Sequence, residues 1–182
     1  MNAVGVLAAL QPLGLPIDRV MEGMGGVEPA DMRLVRGDLA GIAVFNDAYN
    51  ANPDSVLAAV RTFAELAPAG ARRVVALGDM LELGEEGPAL HALVGQELAK
   101  AFAGGPPDLC IACGSLARHL AEALRAAAPS ARVETSADLA ADAPRLASLL
   151  RPGDALLVKG SRGSGMERLV AAISPSQEPK KS

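Results

Sequence analysis

Aromatic residues are nearly absent from this sequence of 182 residues, which contains three Phe, one Tyr and no Trp. Its 17 basic and 21 acidic side chains give a net charge of −4 at neutral pH. Nucleic-acid binding relies on basic surfaces and often on stacking rings, so we expect no nucleic-acid partner. The chain is nonetheless 50% apolar, mostly through Ala, Val and Leu, and it is long enough to bury an aliphatic core.

Cysteine and long apolar runs are also scarce. Two Cys do not form a disulfide framework, and Cys110 and Cys113 would point to opposite faces of a predicted strand. We therefore expect two buried thiols and no zinc or redox site. The longest apolar run, residues 3–10, is shorter than the ~20 residues of a membrane span, and no basic residue precedes it. The expected location is the cytoplasm, with no membrane span.

Two phosphate-binding motifs are missing from the chain. The sequence contains neither G-x-x-x-x-G-K-[ST] nor G-x-G-x-x-G, the loops whose backbone N–H groups cradle nucleotide phosphates. Phosphoryl transfer needs such a loop together with a Lys and a bound Mg²⁺. We therefore expect no catalytic residue and no metal site that would act in this chain alone.

Short apolar runs alternate with segments of helical periodicity along most of the sequence. The apolar runs predict five strands, at 41–47, 72–79, 108–114, 131–135 and 154–161. The helical segments that follow them lie at 53–66, 86–103, 115–128, 137–150 and 165–173. This alternation predicts an α/β, Rossmann-like domain that has a mostly parallel sheet with helices on both faces.

The segments outside this pattern predict two further regions. Residues 2–12 and a short segment closed by Gly25 and Gly26 predict two helices, so residues 1–34 form a helical stub with little core of its own. The α/β domain then occupies residues 35–174, and residues 175–182 form a polar, flexible tail.

The segment NDAYNANPDS, residues 46–55, has the strongest functional signal. Asp47 ends a predicted strand, where ligands of parallel sheets bind, and Asn50 and Asn52 offer both donors and acceptors. Asp47 could accept hydrogen bonds from ribose hydroxyls or lie near a metal. An Asx-rich turn that caps the next helix, with Asn52 as N-cap and Pro53 as first residue, explains the segment equally well.

The segment KGSRGSGMERL, residues 159–169, joins a strand to a helix through three glycines. Its backbone N–H groups could hold an anion, Lys159 could add a charge and Ser161 a hydroxyl. A plain glycine-rich turn is the structural alternative.

Two other groups of polar residues favour structural explanations. Asp79, Glu82, Glu85 and Glu86 suit a solvated helix start better than a metal site. His91 and His119 lie on separate predicted helices with no partner motif nearby, so both are expected at the surface.

Three strings together resemble the C-terminal domain of the Mur ligase family, which builds peptidoglycan precursors. They are NDAYNANPDS, VVALGDMLELGEEGPALHALVG and LLVKGSRGSGMERLV. The YNANP-S and GDM-ELG patterns are similar to the branch that adds D-alanyl-D-alanine, rather than to its sister ligases or folylpolyglutamate synthase. Residues 2–24 resemble the end of the family's central ATPase domain, and DMRLV resembles the segment that joins the two domains. The resemblance implies that the UDP-binding domain and most of the central domain are missing, so this chain is a fragment.

The resemblance also implies a reaction and a set of contacts. Such ligases use ATP and Mg²⁺ to phosphorylate a carboxylate of UDP-N-acetylmuramoyl-tripeptide, which the amine of D-Ala-D-Ala then attacks. The C-terminal domain closes over the nucleotide and brings the dipeptide. By resemblance, Arg33 reaches the nucleotide, Asp47 lies near its ribose, and Lys159 and Ser161 contact the dipeptide or the reaction centre. The cleft that receives nucleotide and dipeptide is lined by Tyr49, Asn50 and Asn52.

Two alternatives remain open on the sequence alone. The chain could be a stand-alone, non-catalytic module that binds a nucleotide or an anion. It could also be a purely structural fragment that binds nothing. Tight ATP binding by the chain alone would favour the first alternative.

Overall fold

The protein is represented by a computed structural model that describes residues 34–173. The helices predicted within residues 1–33 and the tail predicted at 175–182 lie outside these residues. The described part contains a six-stranded sheet with the order β1-β2-β6-β3-β4-β5. Its strands are β1 Val35–Leu39, β2 Ile42–Asp47, β3 Arg72–Gly78, β4 Leu109–Cys113, β5 Val133–Ser136 and β6 Asp154–Lys159.

Five α-helices follow the strands from β2 onward. They are α1 Pro53–Leu66, α2 Gly87–Leu98, α3 Ala117–Ala127, α4 Leu139–Ala147 and α5 Glu167–Ile173. All pairings among β2 to β6 are parallel, and only β1 runs antiparallel, against β2. The predicted α/β class with a mostly parallel sheet is therefore confirmed.

Helices cover both faces of the sheet because the strand side chains alternate between two buried clusters. Phe45, Val75 and Leu157 belong to the cluster beneath α1, α2 and α3. Their neighbours Val44, Val74 and Leu156 belong to the cluster beneath α4 and α5. The first cluster also contains the three Phe rings. Phe45 packs edge-on against Phe63, with 5.2 Å between the ring centres, and Phe63 packs likewise against Phe102, with 6.2 Å between the ring centres.

Helix α1 begins where the sequence predicts. Asn52 is its N-cap, and Pro53 occupies the first turn. The Asn52 side chain accepts the Ser55 N–H at 2.8 Å, while Ser55 Oγ accepts the Asn52 N–H at 3.0 Å. This reciprocal capping box satisfies two backbone donors that the helix itself leaves unpaired.

Strand β1 is not among the strands that the sequence predicts. Four of its five residues, VRGDL, are exposed, so it lacks the apolar run by which the other strands are recognised. A tight turn at Ala40 (φ 53°) and Gly41 (φ 77°) pairs it with β2 as an edge hairpin. Positive φ at both central residues is the geometry that suits two-residue hairpins.

Candidate functional site

A pocket of about 330 Å³ lies at the carboxyl ends of β2 and β6. It is lined by Leu34, Asp47, Tyr49, Asn50, Asn52, Ser55 and Lys159. The structure thus brings together five of the site residues expected from the sequence. Strands β2 and β6 are neighbours in the sheet although 112 residues separate Asp47 from Lys159.

Lys159 is at the base of this pocket and is only 3% exposed. Its ammonium donates to Asp47 Oδ2 at 2.7 Å and to the Asn50 carbonyl at 2.8 Å. The other carboxylate oxygen, Asp47 Oδ1, accepts the Leu34 N–H at 3.2 Å. A buried ammonium needs such a partner, because an unpaired charge in the interior is costly. The pair ties the loop after β2 to the end of β6.

The pocket also meets the N-terminus of α1, a helix of 14 residues. Asn52 and Ser55, which form the capping box of this helix, both line the pocket. Asn52 therefore caps α1, as the Asx-turn explanation predicts. Because Asn52 is exposed and only its Oδ1 is used by the cap, the residue can serve a ligand as well.

Tyr49 and Asn50 form the outer wall of the pocket and are both exposed. The Arg162 guanidinium lies 5.9 Å from the centre of the Tyr49 ring. This cation–π contact joins the loop after β2 to the turn after β6. An aromatic face, a guanidinium and an amide are suitable groups for contacting a polar ligand.

Ser161 lies at the same end of the sheet but does not line the pocket. Ser161 is only 6% exposed. Its hydroxyl accepts the Leu81 N–H at 2.9 Å and donates to the Ala51 carbonyl at 3.4 Å. Its own N–H donates to the Asp79 carbonyl at 3.0 Å. Ser161 therefore fastens the turn after β3 to the loop that carries Asn50 and Asn52. Arg33, the remaining expected site residue, lies outside the described residues.

The expectation that His91 is a surface residue is wrong. His91 is 0% exposed, and its Nε2 accepts the Met80 N–H at 3.0 Å. Its Nδ1 lies 2.7 Å from the Gly87 carbonyl, which can only accept, so the proton is on Nδ1. Burial lowers the pKa of His91, although the bond to Gly87 opposes this effect. The buried positions Val94, Gly95 and Leu98 recur at helical spacing from His91 and could have revealed its burial.

His119, by contrast, is partly exposed on α3, with 27% of its side chain accessible.

The expected solvated helix start at Glu82, Glu85 and Glu86 agrees with the exposure of all three side chains. Asp79 has a different role, because its carboxylate accepts the N–H groups of Leu116 at 3.0 Å and Ala117 at 2.7 Å. It thereby caps the start of α3 from the neighbouring strand end. A Cβ on Gly114, whose φ is 122°, would lie 2.3 Å from this carboxylate.

Cys110 and Cys113 are free thiols, buried in the two different core clusters. Burial raises the pKa of each thiol to about 12, so neither is a thiolate at neutral pH. Both behave as small core residues, as the sequence predicts.

A larger depression of about 490 Å³ lies at the opposite edge of the sheet, next to Arg72, Arg73 and Arg151. Arg72 makes a two-pronged ion pair with the buried Asp154, at 2.6 and 2.9 Å. Burial would raise the pKa of Asp154, but the bonds from Arg72 and from the Arg151 N–H outweigh it and lower this pKa. These arginines form ion pairs with Asp108 and Asp154, and none of the expected site residues within the described range lines this depression.

Within residues 34–173, no three His, Cys, Asp or Glu side chains are grouped so that they could hold a metal ion. None of the helices in the same range is long and apolar enough to cross a membrane.

The described residues thus form an α/β domain with a polar pocket where two adjacent parallel strands end. The family described as Mur ligase, glutamate ligase domain, matches residues 32–162 of the chain. The chain therefore belongs to the Mur ligase family, and the resemblance to the C-terminal domain of this family is confirmed.

Three proteins similar to this chain are ligases of the Mur family. The UDP-N-acetylmuramoyl-tripeptide–D-alanyl-D-alanine ligase of Escherichia coli is 35% identical over 175 residues, which cover 94% of this chain and 36% of that protein. The structure of MurF from Acinetobacter baumannii has a TM-score of 0.74 and 28% identity, covering 94% of this chain and 36% of that one. The MurF ligase from Thermotoga maritima, solved in complex with ADP, has a TM-score of 0.63. It is 22% identical over 92% of this chain and 35% of its own, so it supports the fold alone.

The chain spans about a third of the length of the relatives that it matches.

Proposed function

We propose that this chain is the C-terminal, substrate-closing part of an ATP-dependent ligase that adds D-Ala-D-Ala to UDP-N-acetylmuramoyl-tripeptide. One observation carries the proposal: five of the seven residues that the family resemblance marks as site residues line a single pocket at the carboxyl edge of the sheet. The similarity to the E. coli ligase and to MurF structures supports the same reaction.

We infer that Lys159 and Asp47 act as a pair in this site. An ammonium has three N–H donors, and within the described residues Lys159 uses two of them on Asp47 and Asn50. The third can bind a carboxylate of the dipeptide in the pocket that Lys159 lines. Asp47 is 18% exposed at its side chain and keeps acceptor capacity for a ribose hydroxyl. The α1 N-terminus favours an anionic group at the same place.

The loop 49–52 supplies the remaining contacts. Tyr49, Asn50 and Asn52 would line the side of the nucleotide and the dipeptide that faces this domain. Arg33 would reach the nucleotide from the segment that precedes β1. Ser161 would act by holding this loop in place through the Ala51 carbonyl.

The described residues fit one side of a nucleotide but do not fit Mg²⁺ or the phosphate chain. They hold no cluster of acidic ligands, and the sequence has no phosphate-binding loop. We infer that ATP and Mg²⁺ are held mainly by the central domain of a complete ligase. When bound there, ATP supplies the phosphoryl group that activates the tripeptide carboxylate. The role of this chain is to orient the dipeptide and, when the domain closes over the nucleotide, to exclude water from the site.

We place the domain boundaries near residues 34 and 174, with the helical stub as the end of the central domain. The location that we propose is the cytoplasm, since the two free, buried cysteines suit a reducing compartment. Neither a nucleic acid nor a membrane is part of the proposed reaction.

The experiment is a domain exchange. Residues 31–174 replace the matching C-terminal third of the E. coli ligase, and phosphate release is measured with ATP, Mg²⁺, tripeptide precursor and D-Ala-D-Ala. We expect turnover that requires both the tripeptide and the dipeptide. A folded hybrid that releases no phosphate beyond that of the E. coli enzyme lacking its C-terminal third would overturn the proposal.

Calorimetry on the 182-residue chain tests the alternative of a stand-alone nucleotide-binding module. A site that is present on one side only makes part of the contacts, but binding still costs the full entropy of immobilising the ligand. We therefore expect ATP dissociation constants of about 1 mM or weaker. The chain alone should show no ATPase or ligase activity. Micromolar ATP binding would establish the alternative.

A further inference from the structure

The proposed function gives no role to His91, a titratable group that is buried in the interior of the described domain. Its two ring nitrogens bind two separate backbone segments, Gly87 at the start of α2 and Met80 in the turn after β3. An imidazole that donates from Nδ1 and accepts at Nε2 must be neutral, because the charged ring has no acceptor. The contact therefore exists in one protonation state and one tautomer.

The Met80 contact continues into the candidate site. Leu81, the next residue, donates its N–H to Ser161 Oγ, which in turn donates to the Ala51 carbonyl. Ala51 lies between Asn50 and Asn52, and the Asn50 carbonyl accepts from Lys159. A continuous path of hydrogen bonds and peptide units thus runs from His91 to Asn50, Asn52 and Lys159, which line the pocket.

We propose that His91 is a positioning residue: in its neutral Nδ1–H form it holds the Met80–Leu81 turn and, through Ser161, the loop 49–52 of the pocket. The effect on turnover rests on the proposed function, whereas the coupling itself does not. The charged or titratable groups that act on His91 are Asp79 at the end of β3 and His119 on α3. His119 is the only other histidine of the chain, which makes it a matched control.

The first test uses nuclear magnetic resonance on the ¹⁵N-labelled 182-residue chain between pH 8 and pH 5. We expect the His91 ring signals of the Nδ1–H tautomer at pH 8. On acidification, the amide signals of Met80, Leu81, Ser161 and Ala51 should shift with the same midpoint as His91. In the His119→Gln variant, the same four signals should still shift with the midpoint of His91. An Nε2–H tautomer would overturn the proposal, and so would Ser161 and Ala51 signals that ignore the His91 midpoint. Collapse of all amide signals together at that midpoint would equally contradict it, because His91 would then support the whole fold rather than this path.

The second test compares two variants in the domain-exchange ligase. His91→Gln keeps an acceptor for the Met80 N–H, whereas His91→Phe fills the space without one. Because small displacements of bound groups strongly slow catalysis, we expect His91→Phe to lower kcat about 10- to 100-fold with little change in the KM for ATP. His91→Gln should restore most of the loss. Equal losses in both variants, with melting temperatures equal to that of the unmutated hybrid, would overturn the proposal.

An inactive unmutated hybrid would count against the proposed function alone, since the resonance experiment needs no ligase activity.

Discussion

Asp47 and Lys159 are register partners at the ends of the adjacent parallel strands β2 and β6, and their side chains form an ion pair at 2.7 Å. The Lys159 side chain is 3% exposed and that of Asp47 is 18% exposed. The pair thus joins the two sequence segments that the family resemblance marks as functional, and it does so at the base of the pocket. Lys159 also holds the loop 49–52 by donating to the Asn50 carbonyl.

Replacing Lys159 with Met should destabilise the domain. The substitution keeps most of the side-chain volume but leaves the Asp47 carboxylate and the Asn50 carbonyl without their donor. Removing one member of a buried pair costs about 3 kcal/mol or more, and the partial exposure of Asp47 places our expectation near that lower figure. Urea denaturation followed by circular dichroism gives the change in the free energy of unfolding.

Two further variants make this measurement specific. Lys100→Met removes an exposed lysine, 70% accessible, and should change stability little. The double variant Asp47→Leu with Lys159→Met should recover much of the loss, because no unpaired charge then remains. A single Lys159→Met variant as stable as Lys100→Met would show that the pair does not hold this part of the fold.

The sequence predicts the elements that carry strong local signals. Strands β2, β3, β4 and β6 carry apolar side chains on both faces, and α1 begins with an Asn–Pro cap, so these elements are recognisable without the structure. Strand β1 is missed because an exposed edge strand has no buried face and hence no alternating pattern. The Asp47–Lys159 pair could not be foreseen in detail, since it depends on β6 lying next to β2 rather than next to β5.

Residues with two possible roles were harder to assign from the sequence. A histidine between Ala and Leu on a helix suits either the surface or the interior, and only packing against the turn at Met80 decides for the interior. Ser161 follows an apolar strand as a ligand-binding residue would, yet its hydroxyl is bonded within the protein to Leu81 and Ala51. Local sequence does not encode these long-range partners.

Gly114→Ala should destabilise the domain more than Gly104→Ala. The two glycines have almost the same φ, 122° and 121°, a region that strains an alanine at either position. Only at Gly114 would the added Cβ meet another group, the Asp79 carboxylate that caps α3, whereas nothing lies within 4 Å at Gly104. Displacing the cap adds about 1 kcal/mol or more. Equal losses in the free energy of unfolding of the two variants, measured by urea denaturation, would show that the contact with Asp79 does not affect stability.

The stability of the domain should fall with acid in two steps. The pKa of His91 lies below its ordinary value of 6.5, so the unfolded state binds the proton first and stability is lost as pH falls below about 6.5. The pKa of Asp154 also lies below its ordinary value of 3.8, so a second loss begins as pH falls below about 3.8. Thermal denaturation from pH 8 to pH 3 measures both steps.

His91→Gln should abolish the first step and leave the second. His119→Gln should leave both. A first step that survives in His91→Gln, or one that vanishes in His119→Gln, would assign it to another group.

The central claim is that this pocket receives the substrate. It is tested most directly by the effect of one pocket side chain on the kcat/KM of the domain-exchange ligase. Asn50→Ala removes an exposed amide from the pocket wall, and Gln96→Ala removes an exposed amide from α2 as a control. We expect Asn50→Ala to lower kcat/KM for D-Ala-D-Ala at least about tenfold, a loss of about 1.4 kcal/mol in transition-state stabilisation. Gln96→Ala should leave it unchanged, and the melting temperatures of both variants should match the unmutated hybrid. Equal kcat/KM values for Asn50→Ala, Gln96→Ala and the unmutated ligase would contradict the assignment of this pocket to the substrate.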